Sequence, residues 1–159
     1  MSHAYHATVL WQREGAAFAD QRYSRGHVWR FDEGVEVTAS SSPLHVPVGS
    51  VAAAVDPEEA FVAALSSCHM LFFLHFAARQ KFVVERYEDR AVGVMAKNDA
   101  GKDFIAKVTL NPSVVFNGET RPGNDDVAAL HHRAHEECFL ANSVKSEVAV
   151  GSSTVAFVA

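Results

Sequence analysis

The chain lacks the features that define several classes of protein. Its 14 lysines and arginines are dispersed among 19 acidic residues, leaving a formal charge of -5. No basic field exists to hold a phosphate backbone or an anionic lipid surface, so nucleic-acid and membrane-surface binding are set aside. The opening Met1-Ser-His-Ala-Tyr-His6 is not a basic stretch leading into an apolar run, so nothing reads as a secretory signal and a cytoplasmic location is expected. Repeats, low-complexity tracts and linkers are also missing. With 48% hydrophobic and 21% charged residues over 159 positions, disorder is excluded and a single domain spanning residues 1–159 is expected. Cysteine is scarcest of the reactive residues: only Cys68 and Cys138 are present. In a reducing compartment such a pair does not read as a permanent staple, whereas a transient catalytic or sensing disulfide is the usual exception.

What is present is an alternation of strand and helix signals. Ala7–Trp11, His27–Phe31 and Val35–Ala39 read as strands, the last two joined by a tight turn at Asp32-Glu-Gly34. Residues 41–55, with Pro43, Pro47 and Gly49, read as a loop. A long helix then starts with three signals together: Asp56 as cap, Pro57 at the first position, and Glu59 completing a capping box. Residues 60–78 carry no formal charge, nearly the length of a membrane span. The polar Ser66, Ser67, His69 and His75 within it favour instead a helix buried in a core or a subunit interface. Tyr87–Met95 and Phe104–Phe116 are β-rich and flank a turn at Asn98–Gly101. Val127, Leu130, Ala134 and Cys138 recur at helical spacing, and Val148–Val158 reads as a closing strand with a bend at Gly151. The class is α+β.

The segment Asp56-Pro-Glu-Glu-Ala-Phe-Val-Ala-Ala-Leu-Ser-Ser-Cys68 resembles the signature helix of the OsmC/Ohr family of organic-hydroperoxide reductases. Ala134-His-Glu-Glu-Cys138, followed by Asn142, resembles the same family's second-cysteine helix, and Tyr23-Ser-Arg-Gly-His27 resembles the stretch carrying its active-site arginine. The resemblance implies antiparallel sheets around a long buried central helix in an intertwined homodimer. It also implies a cofactor-free peroxidase in which Cys68 attacks, Cys138 resolves, and Arg25 with Glu58 activates and orients. Arg22 and Arg30 lie close enough in sequence to compete with Arg25 for that role. The implied partners are an organic hydroperoxide and a dithiol reductant such as a dihydrolipoyl group.

The chemistry agrees with the residue types. A thiolate attacks a peroxide oxygen to give a sulfenic acid and an alcohol, and a second thiol condenses with the sulfenic acid to give a disulfide. An arginine raises the thiolate fraction, and a carboxylate can hold its guanidinium by paired hydrogen bonds. Glu58 and Cys68 are ten positions apart, which on a straight helix is about 15 Å along the axis and about 80° around it. Either the helix breaks between them or Glu58 comes from a second subunit. Two rival readings remain. His131, His135 and Cys138 fall on one helical face and His69 adjoins Cys68, a donor set that zinc accepts; His131-His132 alone reads as a solvated patch. A noncatalytic redox-sensing module is the other. The departures from the family pattern are His69 after the first cysteine, Phe139 after the second, and the phenylalanine-rich run at 72–76, whose helical spacing favours core packing.

Overall fold

The computed structural model describes residues 3–158. The chain forms two compact units, Met1–Ala60 and Phe61–Ala159. In the first, β1 (Thr8–Leu10), β2 (His27–Arg30) and β3 (Glu36–Ala39) make an antiparallel sheet in chain order. The β2–β3 connection is a single 3-10 turn in which Glu33 and Gly34 both take positive φ, 56° and 79°. The sheet leads to the start of α1 (Pro57–Arg79). The capping box forms as the sequence implies: the Glu59 amide donates to the Asp56 carboxylate at 2.7 Å and the Asp56 amide to the Glu59 carboxylate at 3.2 Å.

The second unit corrects the strand plan. The two β-rich segments are each divided, giving β4 (Val83–Asp89), β5 (Val92–Lys97), β6 (Asp103–Leu110) and β7 (Pro112–Asn117). β4 pairs with β7 and β5 with β6, so residues 83–117 form one long antiparallel ribbon that folds over and serves two sheets. The fold line runs through Arg90-Ala91 on one side and Asn111 on the other. Pro112 cannot donate to a continuing ladder, and Asp89 takes over the Asn111 amide at 2.6 Å while the Asn111 side chain donates to the Arg90 carbonyl at 3.1 Å. The expected closing strand breaks at the same line, into β8 (Glu147–Val150) and β9 (Thr154–Phe157), which lie parallel to β6 and β7. Gly151 allows the crossing. Its amide donates to the Leu110 carbonyl at 2.8 Å, and a Cβ there would stand 2.7 Å from both the Asn111 amide oxygen and the Thr109 methyl. The sheets are therefore mixed rather than wholly antiparallel.

α1 joins two apolar clusters within this unit. Its Leu65 packs with Val108 and Leu110 of β6, while Phe73, Phe76 and Ala77 pack with Val114 and Phe116 of β7 and with Val127, Leu130 and Ala134 of α2 (Asn124–Glu137). α1 is long and apolar enough by composition to cross a membrane, but its Leu65, His69 and Phe73 are buried inside the protein. Gly93 on β5 allows close approach, since a Cβ would meet the Val62 side chain at 2.6 Å. One stripe of α1 is left uncovered: Ala63, Ala64, Ser67, Leu71, His75 and Ala78.

Candidate active site

The two cysteines come together from two helices. Cys68 lies in the middle of α1 and is half-buried; Cys138 sits just past the last turn of α2, with extended backbone, and is buried. Both are free thiols. The Cys138 thiol is pushed up to about 11, first by burial and then by its hydrogen-bonded contact with the Cys68 side chain, against the opposing effect of the Ala141 amide that donates to its sulfur at 3.4 Å. The helix end is closed by Asn142, whose side chain donates to the Glu136 and Cys138 carbonyls at 2.8 and 3.0 Å. That is what an asparagine four residues after the cysteine does here. Phe139 stands edge-on to Phe72 at 5.1 Å, so an aromatic contact borders the cysteine pair, while Phe73 and Phe76 are core residues as their spacing implies.

α1 is tethered on both sides of Cys68. Ser66 donates to the Asp89 carboxylate at 2.5 Å. His69, 1% exposed, meets His131 of α2 through Nε2 and Nδ1 at 3.0 Å with the rings nearly parallel, and the His131 Nε2 reaches the Ser153 hydroxyl at 3.2 Å. Burial pushes both imidazoles down to about 4, helped for His69 by His135 and for His131 by His69, and opposed at His69 by Asp89. The Nδ1 of His69 is buried without a partner. An unprotonated nitrogen there leaves only a lone pair unsatisfied, which fits the tautomer in which His69 donates to His131 and His131 to Ser153.

The expectation that His131-His132 forms a solvated patch therefore fails for His131, which is 5% exposed, and holds for His132. His131 shares the face of Val127, Leu130 and Ala134, and that phase was the available signal. The zinc reading finds no assembled site: both His131 nitrogens are engaged, and among the described residues no group of three or more His, Cys, Asp or Glu side chains is arranged to hold a metal. His131 and His135 instead line a cavity of about 570 Å³ between α2 and β8–β9 that contains neither cysteine.

Arg25 and Glu58 belong to the first unit, Cys68 and Cys138 to the second. Of the three neighbouring arginines, Arg30 is taken by Glu36 at 2.5 Å and Arg22 is exposed. Arg25 is half-buried, its guanidinium 3.7 Å above the Tyr23 ring and donating to the Gln21 carbonyl at 3.0 Å, with its Nε buried and unpartnered. The Arg25 amide is held by the carbonyl of Gly49, a residue at φ 85° where a Cβ would run into the Tyr23 carbonyl. Neither Arg25 nor Glu58 enters an ion pair among the described residues.

A family model described as OsmC-like protein matches residues 49–153, from this glycine through both cysteines to the fold line at the end of β8. The chain belongs to the OsmC-like family. The OsmC-like protein of unknown function from Vibrio cholerae is 53% identical over 94% of this chain and 99% of its own, with a TM-score of 0.92. More distant structures share the OsmC-like fold: an organic hydroperoxide resistance protein OsmC from Legionella pneumophila (18% identity, 97% of each chain, TM-score 0.62) and the organic hydroperoxide resistance protein OhrB of Bacillus subtilis (17%, 96% and 98%, 0.59). Among curated protein sequences, none matches the chain.

Proposed function

We infer that this OsmC-like protein is a thiol peroxidase that reduces organic hydroperoxides to alcohols. The observation that carries the reading is the unequal cysteine pair. One thiol is half-exposed; its contact partner is buried, with its ionisation pushed well above the usual thiol range. Attack by the Cys68 thiolate on the distal peroxide oxygen breaks the O–O bond, forms the Cys68 sulfenic acid and releases an alkoxide that takes a proton. The Cys138 thiol then displaces hydroxide from the Cys68 sulfur, forming the disulfide and, with the thiol proton, water. A dithiol, dihydrolipoyl groups being the class implied by the family, returns both cysteines to thiols through a mixed disulfide. Arg25 is the cation assigned to the thiolate and the peroxide oxygen, and its buried, unpartnered Nε supports that choice over Arg22 and Arg30.

The acting species in this reading is a soluble cytoplasmic homodimer in which residues 1–159 work as one OsmC-like domain. Support comes from the uncharged α1 stripe of small residues with Leu71, 60% exposed in a single chain, and from the separation of Glu58 from Cys68 along one unbroken helix. No cofactor enters the cycle.

The test compares consumption of tert-butyl hydroperoxide, cumene hydroperoxide and hydrogen peroxide, with dihydrolipoamide supplied, by the wild type, Cys68→Ser and Cys138→Ser. Turnover is expected to favour the organic peroxides and to vanish in Cys68→Ser, while Cys138→Ser accumulates a trappable sulfenic acid. Undiminished turnover by Cys68→Ser would sink the mechanism. A disulfide formed by peroxide without turnover in any dithiol would point instead to a sensing module.

A further inference from the structure

The histidine pair has no part in the cycle above, yet it joins the two cysteine helices at a telling place. His69 is the residue after Cys68, and His131 stands two helical turns before Cys138. Their 3.0 Å hydrogen bond is the polar link between α1 and α2 inside an otherwise apolar cluster of Phe73, Ala77, Leu130 and Ala134. Apolar packing alone tolerates small slips of one helix along another, whereas a buried donor and acceptor must meet at one register or leave both groups unsatisfied. The link is held from both ends. Ser153 fixes the far nitrogen of His131 at 3.2 Å, the His131 ring lies 4.5 Å from that of Phe73, and Ser66 to Asp89 anchors α1 on the other side of Cys68.

We propose that His69 and His131 form a register clamp, a pair of positioning residues that holds the Cys68 and Cys138 thiols in the alignment needed for disulfide closure. Neither imidazole touches the peroxide. This rests on the cysteine pair acting as a redox couple, but its measurement does not require peroxidase activity. Oxidised glutathione takes two electrons from the dithiol, giving the protein disulfide and two reduced glutathiones. The equilibrium constant of that exchange is the effective concentration of one cysteine at the other.

The experiment equilibrates the full-length wild type, His69→Phe, His131→Phe, His69→Gln and His131→Asn in glutathione redox buffers and quantifies the Cys68–Cys138 disulfide by mass spectrometry. Thermal midpoints are recorded alongside. Phenylalanine keeps a flat ring but cannot hydrogen-bond; Gln and Asn place an amide near the bonding nitrogen of each imidazole. The Phe variants are expected to lose tenfold or more in effective concentration, the amide variants to stay within about threefold of wild type, and the double Phe variant to be no worse than either single one. The clamp is overturned if the Phe variants match the wild type within twofold. It is equally overturned if Phe and amide variants fall together in step with their thermal midpoints, or if the wild type closes no Cys68–Cys138 disulfide. If the disulfide closes as expected in glutathione but no hydroperoxide is consumed, the peroxidase reading fails and the clamp stands.

Discussion

Acidification should destabilise this protein well before its carboxylates are neutralised. His69 and His131 are buried as neutral rings and pushed down to about 4 in the folded state, against an ordinary value of 6.5. Between those two values the unfolded chain binds protons that the folded chain does not. Stability is thus at its full value above pH 6.5 and is lost as pH falls towards 4. At pH 5 the difference amounts to about 2 kcal/mol for each imidazole, from the ratio of protonated populations in the two states. Part of the His131 shift comes from the His69 ring, so the two contributions are not fully additive, and a combined loss of about 3 kcal/mol between pH 7.5 and pH 5 is expected. Urea unfolding at fixed protein concentration, at pH 7.5, 6.0 and 5.0, measures it. The double variant His69→Phe/His131→Phe supplies the reference slope, since other groups titrate in both proteins. A wild-type slope equal to that of the double variant would refute the reasoning, because the pair would then not be buried neutral.

Two further outcomes rest on the packing around Cys138 and Gly151. At pH 7.5 a thiol held near 11 is ionised to less than about one part in a thousand, so brief treatment with iodoacetamide should label Cys68 and spare buried Cys138; peptide mass spectrometry showing equal labelling would contradict the assigned order of attack. Gly151→Ala should cost about 2 kcal/mol or more in denaturant unfolding, because the new methyl meets Asn111 and Thr109 at 2.7 Å where β8 passes to β9, and an unchanged midpoint would mean the crossing is slack.

The parts of the molecule legible in the sequence are those whose physics is local. The Asp56–Glu59 box, the Asn98–Gly101 turn and the helical phase of α2 depend on residues within a few positions of each other, and each forms as read. The breaks in the long β-ribbon were invisible because their cause is remote. Asp89 reaches Asn111 across 22 positions, and Gly151 is required by the side chain at position 111, so three interruptions that look unrelated along the chain meet at one fold line. The same distinction governs the site. Cys68, Cys138 and the preference for Arg25 were carried by motif, whereas His69–His131 joins positions 62 apart and neither imidazole stands in a motif. His131 was nevertheless readable in part, since Val127, Leu130 and Ala134 of α2 share its phase; the doublet with His132 hid it.

The proposed two-chain site has a geometric consequence that a mixing experiment can read. If two α1 helices pack antiparallel about a twofold axis, Glu58 of one chain lies level with Cys68 of the other only when the axis passes at the midpoint of those positions, residue 63. Ala63 and Ala64 are exposed in the single chain and small enough for two helix backbones to approach closely there, so the stripe and the axis coincide. A chain carrying Glu58→Ala then keeps a usable Cys68 but supplies no carboxylate to its partner, and a chain carrying Cys68→Ser does the reverse. Each variant alone should be strongly impaired. When the two are unfolded together and refolded in equal amounts, half of the dimers are mixed and each mixed dimer holds one intact site of two. About a quarter of wild-type peroxidase activity should return. If Glu58 served its own chain's Cys68, no mixed dimer would contain an intact site, and activity would stay at the average of the two variants. Ala63→Arg introduces two like charges at the axis and should abolish both the complementation and the dimer, read by light scattering. Complementation that survived this change would move the axis elsewhere along α1.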